Sequence, residues 1–366
     1  MASTATDGSS RGSSPRARAV ASTATDGSSR GSSPRARAVA STATDASGAD
    51  CTPRLPVSFE LFPPRTDAAA LALGRTIDRL AEVDPAFISV TFGAGGSSRA
   101  RSLTVLRYML EHTHVEPMAH LTCVGSSHLE ANRLVREFLD AGITSFLALR
   151  GDPPADADPD AGIGDLGSAA ELVQLIHRVQ EEREPFAQVG VPGNPGASRI
   201  RARPRPERVA VAAFPTGHPR SRNLGHDVDT LLAKEIAGAN LAITQLFWRA
   251  DDYLGFVERA RAGGVTIPIL PGIMPVTTPS RLARLTELTG VEPPASLSID
   301  LEIEPDAAGQ TELGIAFATR LAAEVIAGGA PGLHLYTFNR HEAVLDVVDR
   351  LGLRTDRFAD ERNTAR

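Results

Sequence analysis

Carboxylates, amides and cations recur in this sequence where short apolar runs come to an end. Glu60 interrupts VSFELF, Gln245 falls in LAITQLF, and Arg150 and Asp152 follow SFLAL. His120 and Thr122 stand in PMAHLTCV, Thr91 in FISVTFG, His218 three residues beyond Pro215, and Asn339 and Arg340 just after GLHLYTF. A carboxylate between Phe59 and Leu61 is costly to bury unless it is paired or protonated, and a carboxyl of that kind serves general acid or base catalysis. Gln245 on an apolar strand needs several hydrogen bonds, which a polar ligand can supply. Asp152 alone is what many turns use after a strand, and His120 alone reads equally as a hydrogen-bonded core histidine. The GAGGSS run at 93 to 98 lets backbone approach a ligand and turns a helix N-terminus toward an anion, a common arrangement. Together these residues describe a small-molecule enzyme site with a carboxyl acid or base and anionic ligands.

Other chemistries lack their residues. Lys234 is the only lysine and lies on a helical pattern, away from any strand end where a Schiff base would form. No HExxH or comparable spacing offers a metal site, and no GxSxG elbow offers an activated serine. Cys51 and Cys123 are the only cysteines, which excludes a disulfide framework and a thiolate metal centre.

The elements that must position these residues alternate. Strand-like runs span 57–62, 87–93, 117–124, 145–151, 208–214, 241–247, 267–273 and 332–338. Helical patterns span 67–82, 99–112, 128–141, 168–183, 226–237, 251–262, 279–289 and 310–328. Uniformly apolar strands, each followed by a helix, belong to a parallel sheet sheathed in helices, and eight repeats in about 300 residues fit an α/β class (β/α)8 TIM barrel. An open doubly wound sheet would be expected to show a glycine fingerprint after its first strand, where this chain has Glu60, Pro63 and Pro64. In a barrel the strand C-termini form the active face, and the polar residues named above fall there. The Pro- and Gly-rich stretches 153–167 and 185–207 read as loops, the first on the active rim and the second an inert insertion on the opposite rim.

The chain has 366 residues, a net charge of −6 and 42% hydrophobic residues, so its bulk can bury a core and shows no basic excess for nucleic acid. No run approaches the length of a membrane helix and no signal segment opens the chain, so a cytoplasmic protein is expected. Residues 2–20 recur unchanged at 21–39, and a third copy begins at 40. That unit is too polar to bury a core by stacking, so 1–52 reads as a disordered low-complexity tail, 53–353 as the barrel and 354–366 as a C-terminal tail.

The motifs SFELFPPR (58–65), FISVTFGAGG (87–96), HLTC (120–123), ALRGDPP (148–154), AAFPTGHP (212–219), KEIAGANLAITQLFW (234–248), ILPGIMPV (269–276) and LYTFNR (335–340) together resemble the 5,10-methylenetetrahydrofolate reductase family, in family order across 56–351. The resemblance implies a barrel that holds FAD noncovalently at its strand ends. It implies reduction by NADH or NADPH and hydride transfer to a folate, in the short form without a regulatory domain. It also implies assembly into homo-oligomers and a place in one-carbon metabolism and methionine biosynthesis. On that resemblance Glu60 matches the acid that protonates folate N10, and Asp152 the aspartate beside flavin and pterin. Thr91, Phe92, Ala94, His120, Arg150, Gly151, Asp152, Ala169, Phe214, His218, Asp227 and Lys234 fall on FAD-contact positions, with Arg150, His218 and Lys234 suited to the diphosphate or ribityl. Gln245, Arg281 and Arg340 fall on substrate-binding positions.

The match has departures. Phe92 and Phe214 replace tyrosines, Arg281 stands on a glutamine, and Leu285 stands where a phenylalanine would pack on nicotinamide or folate. Two rival readings follow from the residues: a flavin-independent barrel lyase or transferase acting on a phosphorylated substrate, and a noncatalytic flavin-binding relative.

Overall fold

A computed structural model describes residues 54–92, 96–123, 126–151, 164–183, 186–191, 194–202 and 208–354. Ala94, Asp152, most of the 153–167 stretch and both terminal tails lie outside the described residues.

The chain runs β1 (Val57–Leu61), α1 (Asp67–Ala81), β2 (Ile88–Val90), α2 (Gly96–His112), β3 (Pro117–Thr122), α3 (His128–Asp140), β4 (Ser145–Leu149), α4 (Ala169–Arg183), β5 (Phe186–Val191), β6 (Asn194–Ala202) and β7 (Val209–Ala213). It continues with α5 (Leu224–Ile236), β8 (Leu241–Thr244), α6 (Ala250–Ala262), β9 (Ile269–Leu270), β10 (Gly272–Ile273), α7 (Pro279–Thr289), α8 (Ala295–Ile303), α9 (Ala307–Ala327), β11 (Leu333–Tyr336) and α10 (His341–Arg350). All pairs in the main sheet are parallel, in the order β10-β11-β1-β2-β3-β4-β7-β8-β9. The two ends of that order, β9 and β10, are one stave interrupted at Pro271. Proline has no N–H for the ladder, but the Pro271 carbonyl still accepts from His334 N–H at 3.0 Å. The sheet therefore closes on itself as the expected eight-stave barrel.

Strand alternation sorts the side chains. On β1, Val57, Phe59 and Leu61 join the core between strands and helices, while Ser58 and Glu60 face inward. The inner cluster of Phe87, Met118, Leu147, Ala210, Leu241, Ile243 and Leu270 fills the barrel, and polar residues lie toward the strand C-termini. Helix starts are fixed locally: Thr66, Ser127, Asn223 and Thr278 accept N-cap bonds, and Ser127 with Glu130 makes a full capping box.

Three sequence expectations need correction. The 185–207 stretch contains an antiparallel hairpin, β5 with β6, rather than a featureless loop. Phe186, Val189, Val191 and Ile200 supply the strand propensity that the Pro and Gly content of the stretch obscures. Helices α8 and α10 were not anticipated, and α9 begins at Ala307 because Asp306 caps it, accepting from Gly309 N–H at 3.1 Å.

Candidate active site

Glu60 projects into the barrel mouth between two histidines. Its Oε2 lies 3.5 Å from His120 Nε2 and 3.9 Å from His334 Nε2. The His120 and His334 side chains are 6% and 0% exposed, whereas Glu60 keeps 22% open to the mouth. Burial is the largest influence on Glu60 and pushes its pKa up. The polar pull of His334 and the charges of His120 and His334 outweigh it, and the net direction is downward. His120 is also driven down, by burial first and with the like charge of His334 adding, while the Glu60 carboxylate opposes. In the protein by itself, then, Glu60 is not the raised-pKa acid that burial alone would make.

Ser58 sets the tautomer of His334. Ser58 Oγ donates to the Leu333 carbonyl at 3.0 Å, so across the 2.9 Å contact it accepts from His334 Nδ1–H. His334 Nε2 thus faces Glu60 and has no hydrogen-bond partner of its own among the described residues. The ring is held by stacking on Phe87, centroids 5.7 Å apart, and by the edge of Tyr336 at 5.3 Å. Tyr336 Oη donates to Thr244 O at 2.7 Å, and Thr337 Oγ1 donates to Glu60 O at 2.7 Å, tying β11 to β8 and β1. Burial, then the Glu60 charge, keeps the Tyr336 phenol protonated far above the usual range. Sequence reading missed Ser58, His334 and Tyr336, although the alternation that turned Glu60 inward also turns His334 and Tyr336 inward in LHLY.

The cation set gathers at β7 and α5. Lys234 is buried and donates from Nζ to Ala212 O at 2.8 Å, with Nζ 6.0 Å from the Phe214 ring. Burial lowers its pKa to about 8, Asp227 opposes and Arg150 adds. Asp227 lies seven residues earlier, on the same helical face. It accepts from His218 N–H at 3.2 Å and Ser221 Oγ at 2.5 Å, while its Oδ2 is buried with no hydrogen-bond partner. Phe214 meets His218 edge-on at 4.6 Å. A cleft of about 610 Å³ opens beside them, lined by His218, Ser221, Asn223, Asp227, Thr289 and Val291 among others. Gly151, at φ 85°, turns the chain after Arg150 in a conformation that favours glycine. Cations for a diphosphate and an acceptor for ribose hydroxyls are what a flavin dinucleotide needs, so these residues fit that group.

The remaining expected residues divide. Gln245 accepts from Leu246 N–H at 2.8 Å through Oε1, so its amide N–H groups are what it can offer a ligand. Thr91 is half-buried at the end of β2, and its carbonyl accepts from Ser102 Oγ at 2.8 Å. Phe92 packs edge-on against Phe138 at 6.1 Å, and Ala169 is buried at the start of α4. Arg281 is half-buried in the first turn of α7, with its guanidinium 4.7 Å from the Phe338 ring, and Arg340 is exposed just before α10. Leu285, at the position expected to present an aromatic to ligand, is buried with Leu246, Trp248, Met274, Val276, Leu282, Leu297 and Leu301 under α7 and α8. Among the described residues no group of three His, Cys, Asp or Glu could hold a metal ion, and no helix is long and apolar enough to cross a membrane.

Comparison with known proteins shows the family of the chain. Residues 49–352 match the family model described as Methylenetetrahydrofolate reductase. The chain is 32% identical over 300 residues to the 5,10-methylenetetrahydrofolate reductase of Salmonella typhimurium, covering 81% of this chain and 91% of that protein. The reductase of Escherichia coli is 31% identical over 300 residues with the same coverage. Methylenetetrahydrofolate reductase (NADH) 1 of Arabidopsis thaliana is 32% identical over 297 residues, which take in 81% of this chain and 48% of the plant protein. Among solved structures, an uncharacterized protein from Clostridium thermocellum, described as binding two copies of 5-methyl-5,6,7,8-tetrahydrofolic acid, superposes with a TM-score of 0.52. Identity there is 12%, covering 81% of this chain and 93% of that one, so the likeness bears on the fold alone.

Proposed function

Since the chain belongs to the methylenetetrahydrofolate reductase family, we propose that it reduces 5,10-methylenetetrahydrofolate to 5-methyltetrahydrofolate with noncovalent FAD and with NADH or NADPH as reductant. The observation that supports this most directly is one carboxyl, Glu60, set between two buried imidazoles at the barrel mouth. When bound, FAD would supply a two-electron carrier between the nicotinamide and the folate, the two substrates binding in turn.

Lys234, Arg150 and His218 would hold its diphosphate or ribityl, with Asp227, Thr91, Phe92, Phe214, Gly151, Ala169 and His120 around it. Ala94 and Asp152, outside the described residues, are proposed for the same shell. Glu60 supplies the proton that opens the folate's five-membered ring at N10. A planar ligand covering the exposed 22% of Glu60 removes its remaining water and shifts its pKa upward, toward the acid form. His334, bound to Ser58 and stacked on Phe87, sets its Nε2 3.9 Å from that carboxyl and orients it. Asp152 would stabilise the cationic iminium left by ring opening, and Gln245 would hydrogen-bond the pterin.

Replacing Glu60 with Gln separates the two halves of this scheme. NADH or NADPH should still bleach the bound flavin in stopped-flow absorbance, at a rate within about threefold of the parent. Reoxidation by methylenetetrahydrofolate should fall by roughly 10²–10⁴. Equal loss of both half-reactions would overturn the acid role. The same assay, run with each nucleotide, decides between NADH and NADPH.

A further inference from the structure

The backbone turn that follows β11 is strained. Phe338 at φ 51° and Asn339 at φ 58° are consecutive non-glycine residues in the left-handed region, where Asp84 is the only other non-glycine among the described residues. A bulky side chain is disfavoured there. Two such residues in a row persist only where surrounding contacts over-determine them, a condition that gathers at functional sites. The contacts that hold this turn reach the end of β1. Asn339 Oδ1 accepts from Phe62 N–H at 2.9 Å, and Asn339 Nδ2 donates to Phe62 O at 2.8 Å. Asn339 N–H donates to Thr337 Oγ1 at 2.9 Å, and Thr76 Oγ1 on α1 donates to the Asn339 carbonyl at 3.3 Å.

These bonds continue the sheet where the strands have stopped. The regular β1–β11 register ends with Glu60 opposite Tyr336. Beyond it the Glu60 carbonyl accepts from Thr337 N–H at 3.4 Å and from Thr337 Oγ1 at 2.7 Å. The Asn339 amide then offers one acceptor and one donor to the two backbone groups of Phe62, as a facing peptide group would. On the other flank Leu61 O accepts from Thr91 N–H at 2.9 Å, so the chain immediately after Glu60 is pinned on both sides. The Phe62 and Phe338 rings close the seam edge to face, centroids 6.3 Å apart. Glu60 thus stands at a strand end, where pairing would otherwise fray, yet its carboxylate must keep its place 3.5 and 3.9 Å from His120 and His334. A displacement of about 1 Å in such a site can cost roughly 10²-fold in rate.

We propose that Asn339 is a positioning residue for Glu60: its amide, together with the Thr337 hydroxyl, carries the β1–β11 ladder past its last regular pair and so holds the acid between its two histidines. This rests on the reading of Glu60 as the acid of a folate reductase and extends that site to a residue acting through the backbone. The plainer alternative is that asparagine stands at 339 only because it tolerates the left-handed region better than most residues. Glycine separates the two, because it adopts that backbone more readily still and carries no amide.

The variants are Asn339→Gly, Thr337→Val and Thr337→Ser, each assayed as holoenzyme beside the parent. Stopped-flow absorbance follows flavin reduction by NADH or NADPH and reoxidation by methylenetetrahydrofolate. Calorimetry measures binding of 5-methyltetrahydrofolate, and thermal unfolding reports the fold. Asn339→Gly should melt near the parent and keep its flavin reduction rate and its affinity for 5-methyltetrahydrofolate within about threefold. Its limiting rate of reoxidation should fall by roughly ten- to a hundredfold. Thr337→Val, which removes the hydroxyl at nearly the same shape, should show the same loss confined to the folate half, and Thr337→Ser should recover most of it. A glycine variant that matches the parent in both half-reactions would overturn the proposal and leave Asn339 a turn residue. A raised KM with the limiting rate kept would also overturn it, since the turn would then serve ligand binding. Equal loss of both halves with a lower melting temperature would reduce Asn339 to a structural role. If Asn339→Gly does not hold FAD, the Thr337 pair decides by the same criteria. A parent enzyme that no folate reoxidises would overturn the reductase reading and this proposal with it, an outcome visible before any variant is made.

Discussion

Single residues in this barrel are set by what burial does to charge. Lys234 shows it most plainly, because burial lowers its pKa from 10.5 to about 8. The sign of its effect on stability follows. Between those pH values the unfolded chain holds a proton that the folded chain has released, so stability of the ligand-free protein rises with pH across the interval. The full interval is worth on the order of 3 kcal/mol. Urea unfolding at pH 7.5, 8.5 and 9.5 should show that rise, and Lys234→Met should flatten it; parallel profiles would mean that burial does not discharge this lysine. A bound diphosphate, in the proposed role of Lys234, would offset the lysine's cost to the free protein. Glu60 is the opposite case. Its neighbours hold it low, so its acid role depends on what a ligand does to the remaining exposed face.

At the scale of elements, β11 does more than complete the barrel. It brings His334 to Glu60, sends Tyr336 across to Thr244 and leads into Thr337 and Phe338, which tie it to β1 and to Arg281. That crossing needs the bare Gly272 on β10. A Cβ there would lie 2.3 Å from Thr244 O and 2.7 Å from the Tyr336 ring. Gly272→Ala should therefore destabilise the protein by about 1–3 kcal/mol through overpacking. Tyr336→Phe, which removes only the hydroxyl bond, should cost about 1 kcal/mol. Thermal unfolding of both checks this, and a larger loss in Tyr336→Phe would show that the hydroxyl rather than the close approach matters. α7 is the companion element: Thr278 and Pro279 start it, and that start aims Arg281 toward Phe338.

For the whole molecule, the polar interior makes stability depend on acid in two steps. His120 is held below its ordinary 6.5 and Glu60 below its ordinary 4.5. Each therefore contributes stability that is present above its ordinary value and is lost as pH falls through the depressed folded value. The melting temperature should be flat near pH 7–8, begin to fall below about 6.5 and fall again below about 4.5. His120→Gln should remove the first step, and an unchanged profile in that variant would sink the assignment. How much of this was legible in the sequence follows from the range of the forces involved. Alternation and helical periodicity are local, so all eight staves, the inward turn of Glu60 and the (β/α)8 class could be read from the chain. The hairpin in 185–207 was hidden because its Pro and Gly density signals a turn while saying nothing about whether the flanks pair. By itself the sequence determined which residues face the barrel interior, because strand periodicity is fixed by backbone geometry. Only the tertiary structure decided that His334, some 270 positions away, stands beside Glu60 and reverses its pKa shift. Charge interactions depend on distances that ring closure sets, and no local pattern encodes those distances.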